Sequence, residues 1–344
     1  MRKFLLVSTM LLAGTGGAVA RDLTVVGYGG STQARMNEVW FKPFEQETKT
    51  PVVLDEGPRL AKLRAMVETN SVQWDLVEQE SSESTAGCEE GIFERLDIQK
   101  MGVDVNDFVP GTVGECGFPD YTAANVLAYD AARFPDGPKS WADFWDTEKF
   151  PGRRGFWNTP KGTLEAALLA DGVAPGDIYN VLRSEGGVDR AFNKLDELKP
   201  NIVWWNSGAE FINRLASGDY AMTYAWNGRI TDANLKDGRD FRIVWEAGYS
   251  YTNNHWVIPK GSPNIDQAYE LLKFLGEPEQ QAAFMNKVAY STANIKGNEL
   301  LDPERRKLMP LAPENLKFGF SIDDDYWTQN FDSLSQRFNS WAGN

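Results

Sequence analysis

LTVVGYGGSTQARMNEVWFKPFEQET, residues 23–48, is the stretch whose reading decides the fold. A short β-rich run, LTVV, enters the glycine turn GYGGSTQ, and ARMNEVWFKPFEQET then reads as helix. The same unit follows twice more. PVVLDEG (51–57) is a strand before the helical RLAKLRAMVET (59–69), and WDLVEQE (74–80) a strand before the helix-like TAGCEEGIFERL. Strands alternating with helices predict an α/β fold with a parallel sheet.

The alternation continues downstream. NVLAYD (125–130), GRRGFWN (152–158), IVWWNSG (202–208) and YAMTYAW read as strands. SWADFWD (140–146) starts a helix, and LEAALLADG, DRAFNKLDELK, EFINRLASGD and DQAYELLKFLGEPEQQAAFMNKV have helical period. The C-terminal DYWTQNFDSLSQRFNSW predicts an amphipathic helix with Trp327, Phe331, Leu334 and Phe338 near one face. With 344 residues the chain has room for two lobes.

The first twenty residues address the compartment. Arg2 and Lys3 precede an apolar run from Phe4 to Leu12, and small residues end at Ala18-Val19-Ala20. That is the pattern of a cleaved export signal, so the mature chain is expected to begin at Arg21. The run is shorter than the roughly 20 residues of a membrane span, and no second long apolar run follows, so no direct membrane insertion is expected. Lys and Arg number 35 against 49 Asp and Glu, a formal charge of −14, and loss of Arg2 and Lys3 makes it −16. Such a surface disfavours nucleic acid and anionic membranes.

Two cysteines, Cys88 and Cys116, stand in the mature chain, and export predicts that they pair. One histidine, His255, and no Cys-x-x-Cys argue against a zinc site, and neither metal nor cofactor is expected. GYGGS (27–31) lacks the spacing of dinucleotide, phosphate or hydrolase motifs. It reads equally as a tight turn or as a loop touching a ligand, since glycine serves both.

TYAWNGRI (223–230) poses the functional question. A strand runs through Trp226 and a turn at Asn227-Gly228 into Arg229, placing a flat aromatic face beside a fixed positive charge. That combination holds a small molecule, or it is a core tryptophan beside a surface arginine.

Taken in order, KPFEQET, WDLV, EEGIFERLD, SWADFWD, FPGRRGF, AWNG, WVIPKGSPN and AYELLKFL give a pattern that resembles the periplasmic substrate-binding proteins of ABC importers. The branch it resembles is the spermidine/putrescine-binding family, which includes binders of 4-aminobutyrate and related ω-amino acids. The resemblance spans the mature chain. It implies two hinge-linked α/β lobes of the type II-like periplasmic binding fold, closing on a small-molecule solute that is passed to a membrane permease. Lobe one would hold 21–128 and 256–313, and lobe two 129–255 with the tail 314–344. Cys88 and Cys116 then fall in lobe one.

Carried over position by position, the resemblance puts Tyr28 and Ser31 in the pocket after the first strand. Gln79, Glu80 and Ser81 follow WDLV, Trp226 is the aromatic of the WNG segment, and Tyr290 is the tyrosine of AYSTAN. The departures concern charge. Polyamine binders surround amines with carboxylates, yet the corresponding positions here are Asn158 and Thr159, Asn254, and the cation Arg229. The expected ligand set is Tyr28, Ser31, Glu80, Asn158, Trp226, Arg229, Asn254 and Tyr290. If Arg229 faces the cleft, its planar fork suits a carboxylate and opposes a diammonium. Glu80 facing the same cleft would take an ammonium, so a short ω-amino acid is favoured over a pure polyamine. Against these stand simpler readings: Arg229 in a surface ion pair, Glu80 solvated in the polar run EQESSES, and Trp204, Trp205, Trp256 and Trp327 as core. Asp325, Tyr326 and Trp327 are further candidates for the cleft wall. A secreted enzyme on the same two-lobed fold, with Glu80 or His255 as its acid or base, is the alternative from another class.

Overall fold

The computed structural model describes residues 21–343; the expected export signal, residues 1–20, lies outside them. Among the described residues, eleven strands join in one sheet. In chain order they are β1 (Leu23–Gly27), β2 (Val52–Glu56), β3 (Leu76–Glu80), β4 (Gly117–Asp130), β5 (Arg154–Trp157) and β6 (Ile202–Trp205). Then come β7 (Met222–Trp226), β8 (Phe241–Ile243), β9 (Tyr249–Val257), β10 (Ser291–Thr292) and β11 (Gly319–Ser321). The main path runs β2-β1-β3-β9-β4-β7-β5-β6.

The two ends of that path are parallel, β1 with β2 and β3, and β5 with β6 and β7. Helices between the strands supply these crossovers, as the alternation predicts. The middle is antiparallel: β9 pairs β3 on one side and β4 on the other, and β4 pairs β7. The sequence gives away only the second half of β4, from Asn125. The strand begins at Gly117 and is buried over its first thirteen residues, so no polar alternation marks its start.

Burial divides the molecule into two cores. One gathers Leu23, Trp40, Phe44, Phe118, Tyr121, Trp256, Leu272 and Phe284, and a smaller cluster with Val26, Trp74, Cys88 and Cys116 adjoins the same strands. The other gathers Ala124, Trp141, Phe156, Leu195, Trp205, Tyr224 and the tail residues Trp327, Leu334 and Phe338. β4 passes from the first core to the second between Ala123 and Ala124. β9 returns, with Tyr249 in the second core and Trp256 in the first. The fold is therefore a two-lobed α/β binding-protein architecture, with β4 and β9 crossing between lobes.

Several expectations meet their outcome here. Cys88 and Cys116 form a disulfide, closing a separation of 28 residues. Trp205, Trp256 and Trp327 are fully buried and Trp204 packs against the second core. Trp327 is fixed further by its indole N–H, which donates to Glu165 Oε1 at 2.7 Å. EQESSES is not a solvated strand end. β3 lies between β1 and β9, and the run after it forms the helix Ser81–Glu89, whose Ser81, Ser82 and Ser84 are buried. Small hydroxylated side chains let that helix pack closely against the tail helix Asp324–Ala342, where the Thr328 hydroxyl donates to the Ser82 carbonyl at 3.2 Å.

Candidate functional site

Where β4 and β9 cross between cores, a narrow cavity, partly open to solvent, is lined from four directions. Tyr28 follows the end of β1, Glu80 ends β3, and Trp226 ends β7, so the ends of parallel strands face it, the usual ligand position in open α/β sheets. Tyr121, Ala123 and Asn125 of β4 and Thr252 and Asn254 of β9 form its floor by strand alternation. Arg229 and Tyr290 complete it.

Six of the eight expected residues thus share one cavity: Tyr28, Glu80, Trp226, Arg229, Asn254 and Tyr290. Ser31 sits just beyond, its hydroxyl accepting from Arg229 Nη1 at 3.4 Å. Asn158 is elsewhere. It is exposed past the end of β5, and its amide donates to Asn206 Oδ1 at 3.2 Å, because the loops after β5 and β6 turn their side chains toward each other. Gln79 points away, as its position between Glu78 and Glu80 requires, and donates to the Pro58 carbonyl. Asp325, Tyr326 and Trp327 are not among the lining residues; Tyr326 packs in the second core with Trp327.

Asn227-Gly228 is not a turn. The helix Asn227–Asp237 starts directly after Trp226. Asn227 ties that start to both cores, accepting from the Ala124 N–H at 2.9 Å and donating to the Ala289 carbonyl. Gly228 is required by contact: a Cβ there would come within 2.5 Å of the Tyr290 ring. Tyr290 in turn stacks on Tyr121 with ring centroids 4.4 Å apart and planes 5° from parallel.

Arg229 projects from the first turn of this helix and is only 3% exposed. Nη2 donates to the Gly29 carbonyl at 2.9 Å, while Nε has no hydrogen-bond partner. No carboxylate lies within ion-pair distance of it among the described residues, which overturns the surface-pair reading. Space for the guanidinium is made by glycine on both sides: a Cβ on Gly30 would approach Nη1 to 2.5 Å, and one on Gly208 would approach Cζ to 2.8 Å. Gly30 also has φ +62, so a side chain there would be strained as well as obstructive. The Trp226 ring lies 5.8 Å from the guanidinium carbon, and Trp157 and Trp205 hold that ring edge-on at 5.2 and 5.1 Å.

Glu80, the acid on the lining, is buried and ion-paired with Lys161 through Oε2. The two side chains are 8% and 4% exposed. Lys161 Nζ also donates to Ser82 Oγ at 2.9 Å. Burial presses the Lys161 ammonium toward lower pKa, but the Glu80 and Glu83 carboxylates outweigh it and hold the group above the ordinary lysine range. Glu83 and Asp324, close by, are pushed up by burial toward their neutral forms. Beneath the lining, burial raises the Glu78 carboxyl to about 7, opposed by the Tyr121 hydroxyl and the Tyr28 N–H that donate to it and by the charge of Arg229. His255 is not on the lining, and burial lowers its pKa to about 4.

Sequence reasoning missed Tyr121, Ala123, Asn125, Thr252 and Lys161. Asn254 was placed, so stepping back two residues along the same strand would have found Thr252. Lys161 is separated from Glu80 by 81 positions, and only the fold brings them together.

A cleft between two lobes, floored by the crossing strands and closed by side chains from both, defines a solute-binding receptor. The chain belongs to the family of bacterial extracellular solute-binding proteins, whose pattern it matches over residues 40–299. It is 44% identical over 326 residues, 94% of this chain and 92% of the other, to the gamma-aminobutyric acid-binding protein of Pseudomonas aeruginosa. Among solved structures it is similar to the binding protein MotA of A. tumefaciens B6 in complex with glucopine, at 31% identity and a TM-score of 0.88 over 94% of this chain and 100% of that one. It is also similar to the Atu4243-GABA receptor, at 33% identity and a TM-score of 0.82 over 94% and 98% of the two chains. The protein is thus the solute-binding component of an ABC importer, as its resemblance implied, with a small solute and a membrane permease as partners. Its family and relatives are binding proteins, which leaves the enzyme alternative without support. Membership places it outside the cytoplasm, and no helix among the described residues is long and apolar enough to cross a membrane.

Proposed function

We propose that the protein captures a short ω-amino acid of the 4-aminobutyrate type and presents it to its permease. The observation that carries this reading is Arg229, a buried cation on the cavity lining with no carboxylate within ion-pair distance. A guanidinium in that state is matched by a ligand carboxylate held through two hydrogen bonds. The Tyr28, Trp226 and Tyr290 rings flank the alkyl chain, and Glu80 with Asn254, Asn125 and Thr252 takes the ammonium end. Ser31 acts indirectly, by orienting Arg229. Asn158 has no part in this site. The names of the relatives that bind GABA favour the same solute class.

In this reading the lobes are 21–128 with 256–313 and 129–255 with 314–344; the two cores support that division except at the end of the first segment, where Ala124, Val126, Leu127 and Ala128 already pack in the second core. The mature protein starts at Arg21 in the periplasm. Calorimetry on residues 21–344 with 4-aminobutyrate, 5-aminovalerate, glutarate, putrescine and spermidine tests the proposal. Binding of the ω-amino acids well above the diamines is expected. Binding of putrescine or spermidine alone would overturn it.

A further inference from the structure

The ion pair behind Glu80 bears on selectivity. Glu80 and Arg229 are the charged residues on the cavity lining. Taken alone they would leave a full carboxylate facing any ligand amine. Lys161 changes that balance. It comes from the loop between β5 and the helix Thr163–Ala170, crosses to the end of β3, and occupies Glu80 Oε2 in a setting from which water is almost excluded. Ser82 fixes the ammonium in place from the other side.

We propose that Lys161 is a specificity-determining residue, neutralising Glu80 so that the cavity accepts a zwitterion and rejects a diamine. This rests on the ω-amino-acid reading given above. A ligand ammonium still has Glu80 to approach, but as the third member of a Lys–Glu–ammonium row. A zwitterion tolerates that because its carboxylate recovers energy at Arg229. A diammonium has no such return, and its second charge meets Arg229 unshielded. The contact also joins groups from the two cores, so the same lysine that tunes charge is positioned when the lobes are together.

The test is the ratio of dissociation constants for 4-aminobutyrate and putrescine, measured by calorimetry in wild type and variants. Lys161→Met removes the ammonium while keeping an unbranched side chain. It should shift the ratio toward putrescine by about tenfold or more, the equivalent of ~1.4 kcal/mol. Lys161→Arg should keep the wild-type ratio, and the double variant E80Q/K161M should return toward it, since the carboxylate on the cavity lining that Lys161 masked is then gone. A purely structural lysine would weaken both ligands alike. An unchanged ratio in K161M, equal losses for both ligands, or a putrescine gain that survives in the double variant would each overturn the inference. Should K161M fail to fold, K161Q carries the same comparison with an amide able to reach Ser82. The wild-type measurement separates the two claims. Preference for putrescine there defeats the ω-amino-acid reading and this inference with it, whereas preference for 4-aminobutyrate with a fixed ratio in K161M defeats this inference alone.

Discussion

Replacing Arg229 with alanine should change the affinities for an ω-amino acid and for a diamine in opposite directions. The guanidinium has five N–H donors. One is spent on the Gly29 carbonyl at 2.9 Å, and another makes the long 3.4 Å contact with Ser31. Enough donors remain for a carboxylate to receive two. Charge-assisted hydrogen bonds contribute about 1.5–3 kcal/mol each. Their loss is offset in part because alanine also removes a buried charge without a counter-ion. A net cost of about 3 kcal/mol for 4-aminobutyrate is a fair expectation, roughly two orders of magnitude in dissociation constant. Putrescine loses no hydrogen bond and is relieved of a repulsion, so its affinity should rise. Calorimetry on both ligands reads the two signs in one experiment. Unchanged 4-aminobutyrate affinity, or a parallel fall for putrescine, would refute the assignment of Arg229 to the ligand carboxylate.

Trp226→Ala should weaken every bound solute by roughly tenfold whatever its charge, since an aromatic contact worth about 0.5–1.5 kcal/mol and its buried area are lost; unchanged affinity in a folded variant would remove the ring from the site. Alkylation followed by mass spectrometry without reductant should find no free thiol, and C88S/C116S should lose about 3–4 kcal/mol of stability in denaturant titrations, the scale for a loop of 28 residues. Finding alkylated cysteines in the native protein would contradict the disulfide. His255, lowered to about 4 by burial, contributes stability in full above its unfolded pKa of about 6.5 and loses it as pH falls toward 4. Wild type should therefore lose about 3 kcal/mol more than His255→Phe between pH 7 and pH 4, and equal pH slopes in the two proteins would refute the shift.

How much could be read beforehand depended on whether the signal was local. The strand–turn–helix units announce themselves by period, and the cavity positions at their ends, Tyr28, Glu80 and Trp226, follow once the family pattern is aligned. β4 hid its first half because every residue from Gly117 to Tyr129 is buried, so apolar and polar positions do not alternate, and Tyr121 and Ala123 were lost with it. Asn158 failed for the opposite reason. The charge argument that singled it out was sound for a family position, but the side chain sits past the strand end, where it turns to Asn206. The serine run after Glu80 misled because composition cannot distinguish a solvated loop from a helix whose small side chains permit close packing. Lys161 left no trace in sequence at all, since its significance is a partner 81 residues away.

The state of Arg229 also bears on why binding should close the lobes. With the lobes together it is 3% exposed, with backbone and hydroxyl contacts but no carboxylate within ion-pair distance, and the nearby Glu78 carboxyl whose charge it favours is itself pushed by burial toward its neutral form. A buried charge without a partner costs several kcal/mol relative to a hydrated one. In an open arrangement the same guanidinium would lie at a cleft wall in water, so the empty protein is biased toward opening. A ligand carboxylate supplies the missing charge only when the Gly29 side and the Trp226 side approach together. It therefore binds the closed arrangement better than the open one, and that difference is what shifts the population. Lys161 adds no such dependence, because its counter-ion, Glu80, is part of the protein. Of the two buried cations that bridge the cores, one is satisfied by the fold and the other waits for the solute. Coupling of ligand capture to closure is accordingly concentrated at Arg229.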